Sequence, residues 1–424
     1  MDITVMPGSS VVGEVEALPS KYLTLIACAV AALGPGKSVI ESPLQCKDTS
    51  AMLRSCENMG CTVKKSAGRW TVWGVQRDFT PVQNALDLKN SGTAISLMCG
   101  VASLSKIPLV LTGDSDLCRR PMPEMLESLR RTGATVYSTK QDEGPPFIAF
   151  GGGVSGGKAD LRDLPINVVP PALIISPYAD KKTRIIVPSD REKFTIEDTL
   201  DIMKNAGVSA SKSGNTITVP QGTYRGMTYR VRKEICSAAP FITSSAILGS
   251  KITVTGCEKP SRRDELFMKT MGAFGIRLKR RGAKVGVERD MLKGARIDLA
   301  WGPELFPFFA VIGCYARGTT RISGINAARR MKSDRVSSMV RELKKLGAKI
   351  MDDGTSVVIQ GPCRIKGGEV QSWNDYAVTS ALAAAATGGD EKIVIKGGAD
   401  CMGTTYSKFI SAFKALGAEM SYSG

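Results

Sequence analysis

Histidine is absent from all 424 residues. The commonest general base is therefore missing, and with it every Ser-His or Cys-His nucleophilic pair and every histidine-containing metal site. Chemistry in this chain has to run on carboxylates, lysines, tyrosines, thiols or backbone amides. Paired cysteine motifs are missing too: eleven cysteines lie scattered without a CxxC, and Cys56 and Cys61 make the nearest approach to one. An odd, unpaired set in a long chain argues against a disulfide scaffold or a zinc ribbon and for a reducing compartment. Most of these thiols are expected to be small buried apolar groups. Long apolar runs are also lacking. The longest, Tyr22–Leu33, has twelve residues, short of the ~18 that span a bilayer, and it starts too far in and without the basic leader of a signal peptide. A soluble, cytoplasmic protein with no membrane partner is expected.

What is present is a globular composition, 43% hydrophobic and 23% charged. At roughly 100–200 residues per domain it makes two to three domains. Lysine and arginine outnumber aspartate and glutamate 57 to 40, for a net charge of +17. The excess is concentrated in Tyr229–Lys293, with fifteen basic residues to six acidic, Lys279-Arg280-Arg281 among them. Phosphorylated small substrates or polyanions suit such a charge, although the plainer reading of any one run is a solvated basic face.

Six amphipathic segments end in a glycine followed by a β-like stretch: Met59-Gly60-Cys61, Thr132-Gly133-Ala134, Ala206-Gly207-Val208, Phe274-Gly275-Ile276, Leu346-Gly347-Ala348 and Leu416-Gly417-Ala418. The glycines recur about every seventy residues, which marks an internal repeat. Before them the apolar residues keep helical spacing. Val336, Met339, Val340, Leu343 and Leu346 do so, with Ser333 or Asp334 placed to cap. Tyr406, Phe409, Ile410, Phe413 and Leu416 repeat the pattern, as do Met122, Met125, Leu126 and Leu129, opened by Pro121 and Pro123. Each unit also begins with a helix of small residues, as in Tyr22–Leu33, Ala94–Leu104, Pro240–Leu248, Pro307–Ala316 and Ala377–Thr387. Ala, Ser, Gly and Cys on every face imply burial on every side. The unit is therefore buried helix, strand, amphipathic helix and one or two strands, six times over, with the copy around Pro170–Val187 the least regular. Grouped by threes, the repeats predict an α/β protein of two similar lobes, helices inside and sheet outside, with a seam near Thr228–Lys233.

Within this frame the residues resemble a known family. Gly13-Glu14-Val15-Glu16-Ala17-Leu18-Pro19-Ser20-Lys21, the small-residue helix and Cys46-Lys47-Asp48-Thr49 resemble the N-terminus of the enolpyruvyl transferases, above all the 5-enolpyruvylshikimate-3-phosphate (EPSP) synthases. Asn90-Ser91-Gly92-Thr93-Ala94 resembles that family's Asn-Ala-Gly-Thr-Ala loop, and Leu111-Thr112-Gly113-Asp114 with Arg119-Arg120-Pro121-Met122 resembles its Arg-Pro loop. Ser333-Asp334-Arg335 is similar to the end of its Lys-Glu-x-Asp-Arg motif, and Asn374-Asp375 to the start of its Asp-His-Arg motif. The matches run in order along essentially the whole chain.

The resemblance implies an inside-out α/β barrel fold of six βαβαββ-type repeats, three per lobe, closing on substrate. Residues 18–230 would form one lobe and residues 1–17 with 231–424 the other, hinged near 17–21 and 228–233. The implied reaction moves the enolpyruvyl (carboxyvinyl) group of phosphoenolpyruvate (PEP) to a hydroxyl through a tetrahedral intermediate. Shikimate 3-phosphate, in aromatic amino acid biosynthesis, is the expected acceptor, with no metal or organic cofactor and a monomer as the working form. Lys21 falls on the family's active-site lysine, and Asn90, Gly92 and Thr93 on a loop that approaches phosphate. Arg120 and Arg335 fall on PEP-binding arginines, one from each lobe. Glu304, in Gly302-Pro303-Glu304, takes the place of the catalytic aspartate that receives the acceptor's hydroxyl proton.

Other family positions carry different residues. Tyr22 and Ile26 replace a serine and an arginine, Ser96 an arginine, and Val168-Val169-Pro170-Pro171 the Ser-Ser-Gln motif that holds the shikimate phosphate. Met331 and Lys332 replace the lysine and glutamate of one motif, Tyr376 and Ala377 the histidine and arginine of another, and Thr404 a C-terminal lysine. Lys332, with Arg119 and Arg330, stands near the lost cations and is expected to bind substrate in their place. Three readings follow. The first is an EPSP synthase with a re-equipped site. The second is a paralogue of the same fold with another acceptor or phosphorylated metabolite, favoured by the apolar Ile26, Val168, Val169 and Met331. The third and least is a non-catalytic nucleic-acid-binding protein, against which the few aromatics beside Arg277–Lys284 speak.

Overall fold

The computed structural model describes residues 1–8, 10–189 and 193–423. The chain divides into two compact units, Pro19–Arg232 and Met1–Leu18 with Lys233–Gly424. Among the described residues there are six four-stranded sheets. All share one topology, in which an edge strand runs parallel to the second and the third and fourth are antiparallel. Ala85–Asp87, for instance, is parallel to Leu109–Thr112, which pairs antiparallel with Phe147–Val154, and that strand with Ala134–Ser138. Strand pairing also joins the ends of each unit. Thr228–Arg230 adds in parallel to Gly36–Glu41. In the other unit Asp2–Val5 lies between Ile393–Lys396 and Met420–Ser423, and Gly13–Glu16 is parallel to Ile252–Thr255.

The inner helices are the small-residue ones. Lys21–Leu33, Gly92–Ala102 and Val169–Ile175 fill the unit Pro19–Arg232, and Ala239–Leu248, Phe306–Tyr315 and Tyr376–Thr387 fill the other. Every side chain from Leu23 to Leu33 is buried. Outer helices such as Lys47–Asn58, Pro123–Thr132 and Arg335–Lys345 bury one stripe each, Val336, Met339, Val340 and Leu343 in the last. Each unit has its own hydrophobic core. Nine of the eleven cysteines are buried, and Cys118 and Cys363 are half-buried. No helix among the described residues is long and apolar enough to cross a membrane.

Two elements differ from the sequence pattern. The helix expected over Tyr406–Leu416 is Phe409–Ala415, because Gly398–Met402 winds separately and the chain turns after it. Tyr406 N donates to Met402 O at 2.9 Å and Phe409 N to Tyr406 O at 3.1 Å. Tyr406 still packs edge-on against Phe241 and Phe409, so it keeps its apolar role without the helical phase. The third inner helix is only Val169–Ile175, with prolines in its first turn, followed by the 3-10 turn Ser176–Tyr178.

Two glycines show how tightly strand ends seat on the inner helices. A Cβ at Gly74 would strike the carbonyl oxygens of Ala31, Ala32 and Gly34, and one at Gly361 those of Gly313, Cys314 and Ala316. Backbone atoms cannot swing aside as a side chain can. Gly74→Ala and Gly361→Ala are each expected to destabilise their unit by about 2–3 kcal/mol, read as a lower urea midpoint at unchanged m. Wild-type midpoints would show that these strand ends do not rest on the helices.

Candidate active site

In the unit Pro19–Arg232 the candidate residues stand at helix starts. Ser20 caps Lys21–Leu33 by accepting from Leu23 N, which places Lys21 at the first helical position. Lys21 Nζ lies 2.9 Å from Asp48 Oδ2, with Lys21 34% exposed and Asp48 only 7%. A carboxylate withdrawn from solvent thus presents a partly exposed ammonium. Asp48 Oδ1, also buried, has no hydrogen-bond donor among the described residues.

The second cluster surrounds the start of Gly92–Ala102. Ser91 caps this helix, accepting from Ala94 N at 3.3 Å. Buried Asn90 donates from Nδ2 to Asp114 Oδ2 at 2.8 Å and accepts at Oδ1 from Arg120 Nη2. Asp114 is itself fixed by the N–H groups of Asp116 and Leu117. The Arg120 guanidinium lies alongside the helix start, its Nη1 within van der Waals reach of a Cβ placed at Gly92, 3.7 Å away. Thr93 is exposed beside it. First-turn N–H groups lack helical partners and carry the positive end of the helix dipole. With a guanidinium alongside, this arrangement suits a phosphate or carboxylate.

In the other unit Glu304 lies in the 3-10 turn Pro303–Leu305, which leads into Phe306–Tyr315. Its carboxylate pairs with Arg263, which also approaches Glu234 at 3.5 Å. The adjoining Asp264 is fully buried. Burial, helped by the nearby Glu234, holds its carboxyl above the ordinary value despite hydrogen bonds from Ser261 and Cys236.

Arg335 opens the helix Arg335–Lys345 and grips Asp375 with two nitrogens, Nε to Oδ2 at 2.8 Å and Nη2 to Oδ1 at 3.0 Å. Its Nη1 donates to Glu304 O at 3.3 Å and to Met331 Sδ at 3.1 Å, so Arg335 and Glu304 are in direct contact. Asp375 is fully buried and also accepts from Ser333 Oγ and Ala377 N. Burial acts to raise its carboxyl pKa, but the charge and hydrogen bonds of Arg335 outweigh that and the net shift is downward. Lys332 is near enough to act electrostatically on both Asp375 and Cys401. Desolvation raises the Tyr376 hydroxyl far above its ordinary value, so this residue stays a neutral phenol where the family has an imidazole.

The candidates therefore collect at two helix starts in one unit and around the Arg335–Asp375 pair in the other. Their partners Asp48, Asp114 and Arg263 were not singled out by the sequence, although Asp48 and Asp114 lie inside the quoted motifs. The second and third readings lose support. Ile26 and Val169 are fully buried and Val168 is 6% exposed, all within the core of their unit, so they offer no lining for a less phosphorylated ligand. On the basic hairpin Ile276–Arg281/Lys284–Arg289, Arg277 pairs with Asp290 at 2.8 Å and Lys279 with Glu288 at 2.7 Å. These two cations are thus matched by carboxylates.

Solved structures place the fold. The enolpyruvyl transferase NikO of Streptomyces tendae superposes with a TM-score of 0.81 at 16% identity, covering 100% of this chain and 98% of that one. The EPSP synthase of Acinetobacter baumannii gives 0.80 at 23% identity, covering 99% and 100%. The architecture is that of the enolpyruvyl transferases, an inside-out α/β arrangement of six repeats. A family model described as EPSP synthase (3-phosphoshikimate 1-carboxyvinyltransferase) matches residues 5–413. The 3-phosphoshikimate 1-carboxyvinyltransferase of Methanocorpusculum labreanum is 33% identical over 417 residues, 97% of this chain and 98% of that one. The chain belongs to the EPSP synthase (3-phosphoshikimate 1-carboxyvinyltransferase) family.

The depressed Asp375 contributes stability that is fully present above the unfolded carboxylate value, ~3.9, and lost as pH falls through its lower native value. Arg335→Ala leaves that carboxylate buried without its cation and raises its pKa. The variant is expected to lose about 3–5 kcal/mol at neutral pH, and the deficit shrinks as acid neutralises Asp375. Urea unfolding of both proteins between neutral pH and ~4 checks this, and equal stability at neutral pH would show that Arg335 does not compensate the buried charge.

Proposed function

We propose that the protein transfers the enolpyruvyl group of PEP to a hydroxyl of shikimate 3-phosphate and releases inorganic phosphate, in a reducing, cytoplasmic setting. The observation that carries the reading is the Arg335–Glu304 contact, in which a partly buried guanidinium donates to the backbone carbonyl of the residue whose carboxylate is held by Arg263. Protonation of the PEP methylene carbon makes C2 electrophilic, and the acceptor oxygen adds there as its proton leaves. The tetrahedral intermediate then expels phosphate, and loss of a proton from the methyl group restores the double bond.

Each step asks for cations around phosphate and carboxylate and for groups that move protons. Arg120 and Arg335 supply planar, always-charged donors for anionic oxygens. Met331 Sδ is a weak acceptor, so a substrate oxygen competes well for the Arg335 N–H that it holds. Glu304, 31% exposed and oriented by Arg263, is assigned to receive the hydroxyl proton. Lys21, held by Asp48, provides a point charge and a proton-transfer group, and Lys332 a further cation for substrate.

The test is phosphate release from PEP in the presence of shikimate 3-phosphate. Glu304→Gln should lower kcat by about 10²–10⁴-fold. Arg120→Ala should lower kcat/KM for PEP by the equivalent of about 2–5 kcal/mol. Absence of release by the wild type, with no thermal stabilisation by PEP, would exclude the reaction.

A further inference from the structure

The turn that carries Asp375 is conformationally constrained, and one buried side chain outside the candidate set holds it. Strand Gly368–Gln371 ends just before this turn and helix Tyr376–Thr387 begins just after it. Between them Trp373 and Asn374 take positive φ values of 53° and 46°. Asparagine enters that left-handed region readily, whereas a bulky tryptophan stays there only where its surroundings fix it.

Those surroundings centre on Glu342, two helical turns after Arg335 on the same helix. Glu342 is fully buried, yet both carboxylate oxygens are engaged. Oε1 accepts from Trp373 Nε1 at 3.0 Å, and Oε2 from Gln371 N at 3.1 Å and Lys345 Nζ at 2.6 Å. The Arg341 guanidinium lies over the indole, 5.4 Å from its centroid, a cation–π contact. Ser372 closes the turn, its Oγ accepting from Asn374 N at 3.3 Å and its carbonyl from Asp375 N at 3.0 Å. Burial alone would be served as well by an apolar side chain; a carboxylate is accounted for by the donors it organises. The helix and the turn therefore meet at two points, Arg335 on Asp375 and Glu342 on Trp373, and two points define an orientation where one would leave a pivot.

We propose that Glu342 is a positioning residue for Arg335: by holding the Trp373 indole it sets the left-handed turn that carries Asp375, and Asp375 sets the plane of the guanidinium that meets the anionic substrate. The substrate half of this statement rests on the enolpyruvyl reading, and the positional half does not.

The experiment uses the full chain with 15N-labelled arginine, the Arg335 Nε–H signal being identified by its loss in Arg335→Lys. Trp373→Phe keeps a ring and removes the indole N–H, and Glu342→Gln keeps the shape and an acceptor oxygen. Trp373→Phe should raise both the solvent exchange rate of the Arg335 Nε–H and the KM for PEP by about tenfold. Its kcat should stay within about twofold of wild type. Glu342→Gln should move both readouts the same way by less, and in an Arg335→Ala background Trp373→Phe should add no further change in KM. Unchanged Arg335 exchange in Trp373→Phe overturns the proposal whatever the turnover, and so does an unchanged KM in an active enzyme. Faster Arg335 exchange in a protein whose wild type releases no phosphate from PEP upholds the positioning and overturns the enolpyruvyl reading instead.

Discussion

Burial of the inner helices on every side governs the rest of each unit. Such a helix has to fit closely against its neighbours and carry almost nothing polar, and the Ala, Ser and Cys of Lys21–Leu33 and Tyr376–Thr387 meet both demands. The difficulty moves to the helix ends, where first-turn N–H groups and last-turn carbonyls lack helical partners. At the C-terminal ends, strand glycines such as Gly74 and Gly361 press close to the carbonyls. At the N-terminal ends, Ser20, Ser91 and Asp375 accept from the orphan donors. Several of the candidate side chains accordingly gather at or near helix starts.

That gathering brings polar side chains together in pairs. Lys21 meets Asp48, Arg120 meets Asn90, Glu304 meets Arg263 and Arg335 meets Asp375. In each pair at least one member lies at or just before the start of a helix. Helix starts also add their own partial positive charge, so a substrate bearing phosphate and carboxylate finds favourable potential there before any side chain is counted. On the proposed reading, a chain without histidine would hold such a substrate by leaving anion binding to arginines and helix ends, and proton movement to a carboxylate and lysines.

The parts of the fold legible in the sequence are those fixed by local physics. Gly60, Gly133, Gly207, Gly275, Gly347 and Gly417 all take positive φ, so the seventy-residue period is a recurring left-handed residue that ends an outer helix. Helical phase and small-residue composition are equally local. The candidate site could be proposed only as far as its motifs reach, and the partners of its residues could not, because they depend on which helix starts meet. Glu342 looks like one more charge on an amphipathic helix until the turn after Gln371 closes over it. The replacements at family ligand positions misled for a related reason. A changed residue type says which contact is lost, but not that Ile26 and Val169 would turn into the core.

The lost cations raise the question of how fewer can do the same work. An unanchored lysine brings a full charge but must be ordered on binding, and its rotamer entropy is about 2 kcal/mol. Arg335 is already ordered, 12% exposed and clamped on a fully buried Asp375. The clamp offsets part of its charge, yet it removes most of the ordering penalty and fixes the direction of the remaining N–H groups. Lys21 on Asp48 follows the same logic with a more exposed head group. Charge count is therefore the wrong measure of this site. A few cations, each held at a helix start by an acceptor set in the fold, lose less on meeting an anion than a larger number left mobile, and geometry takes over the role that additional charge would otherwise have to fill.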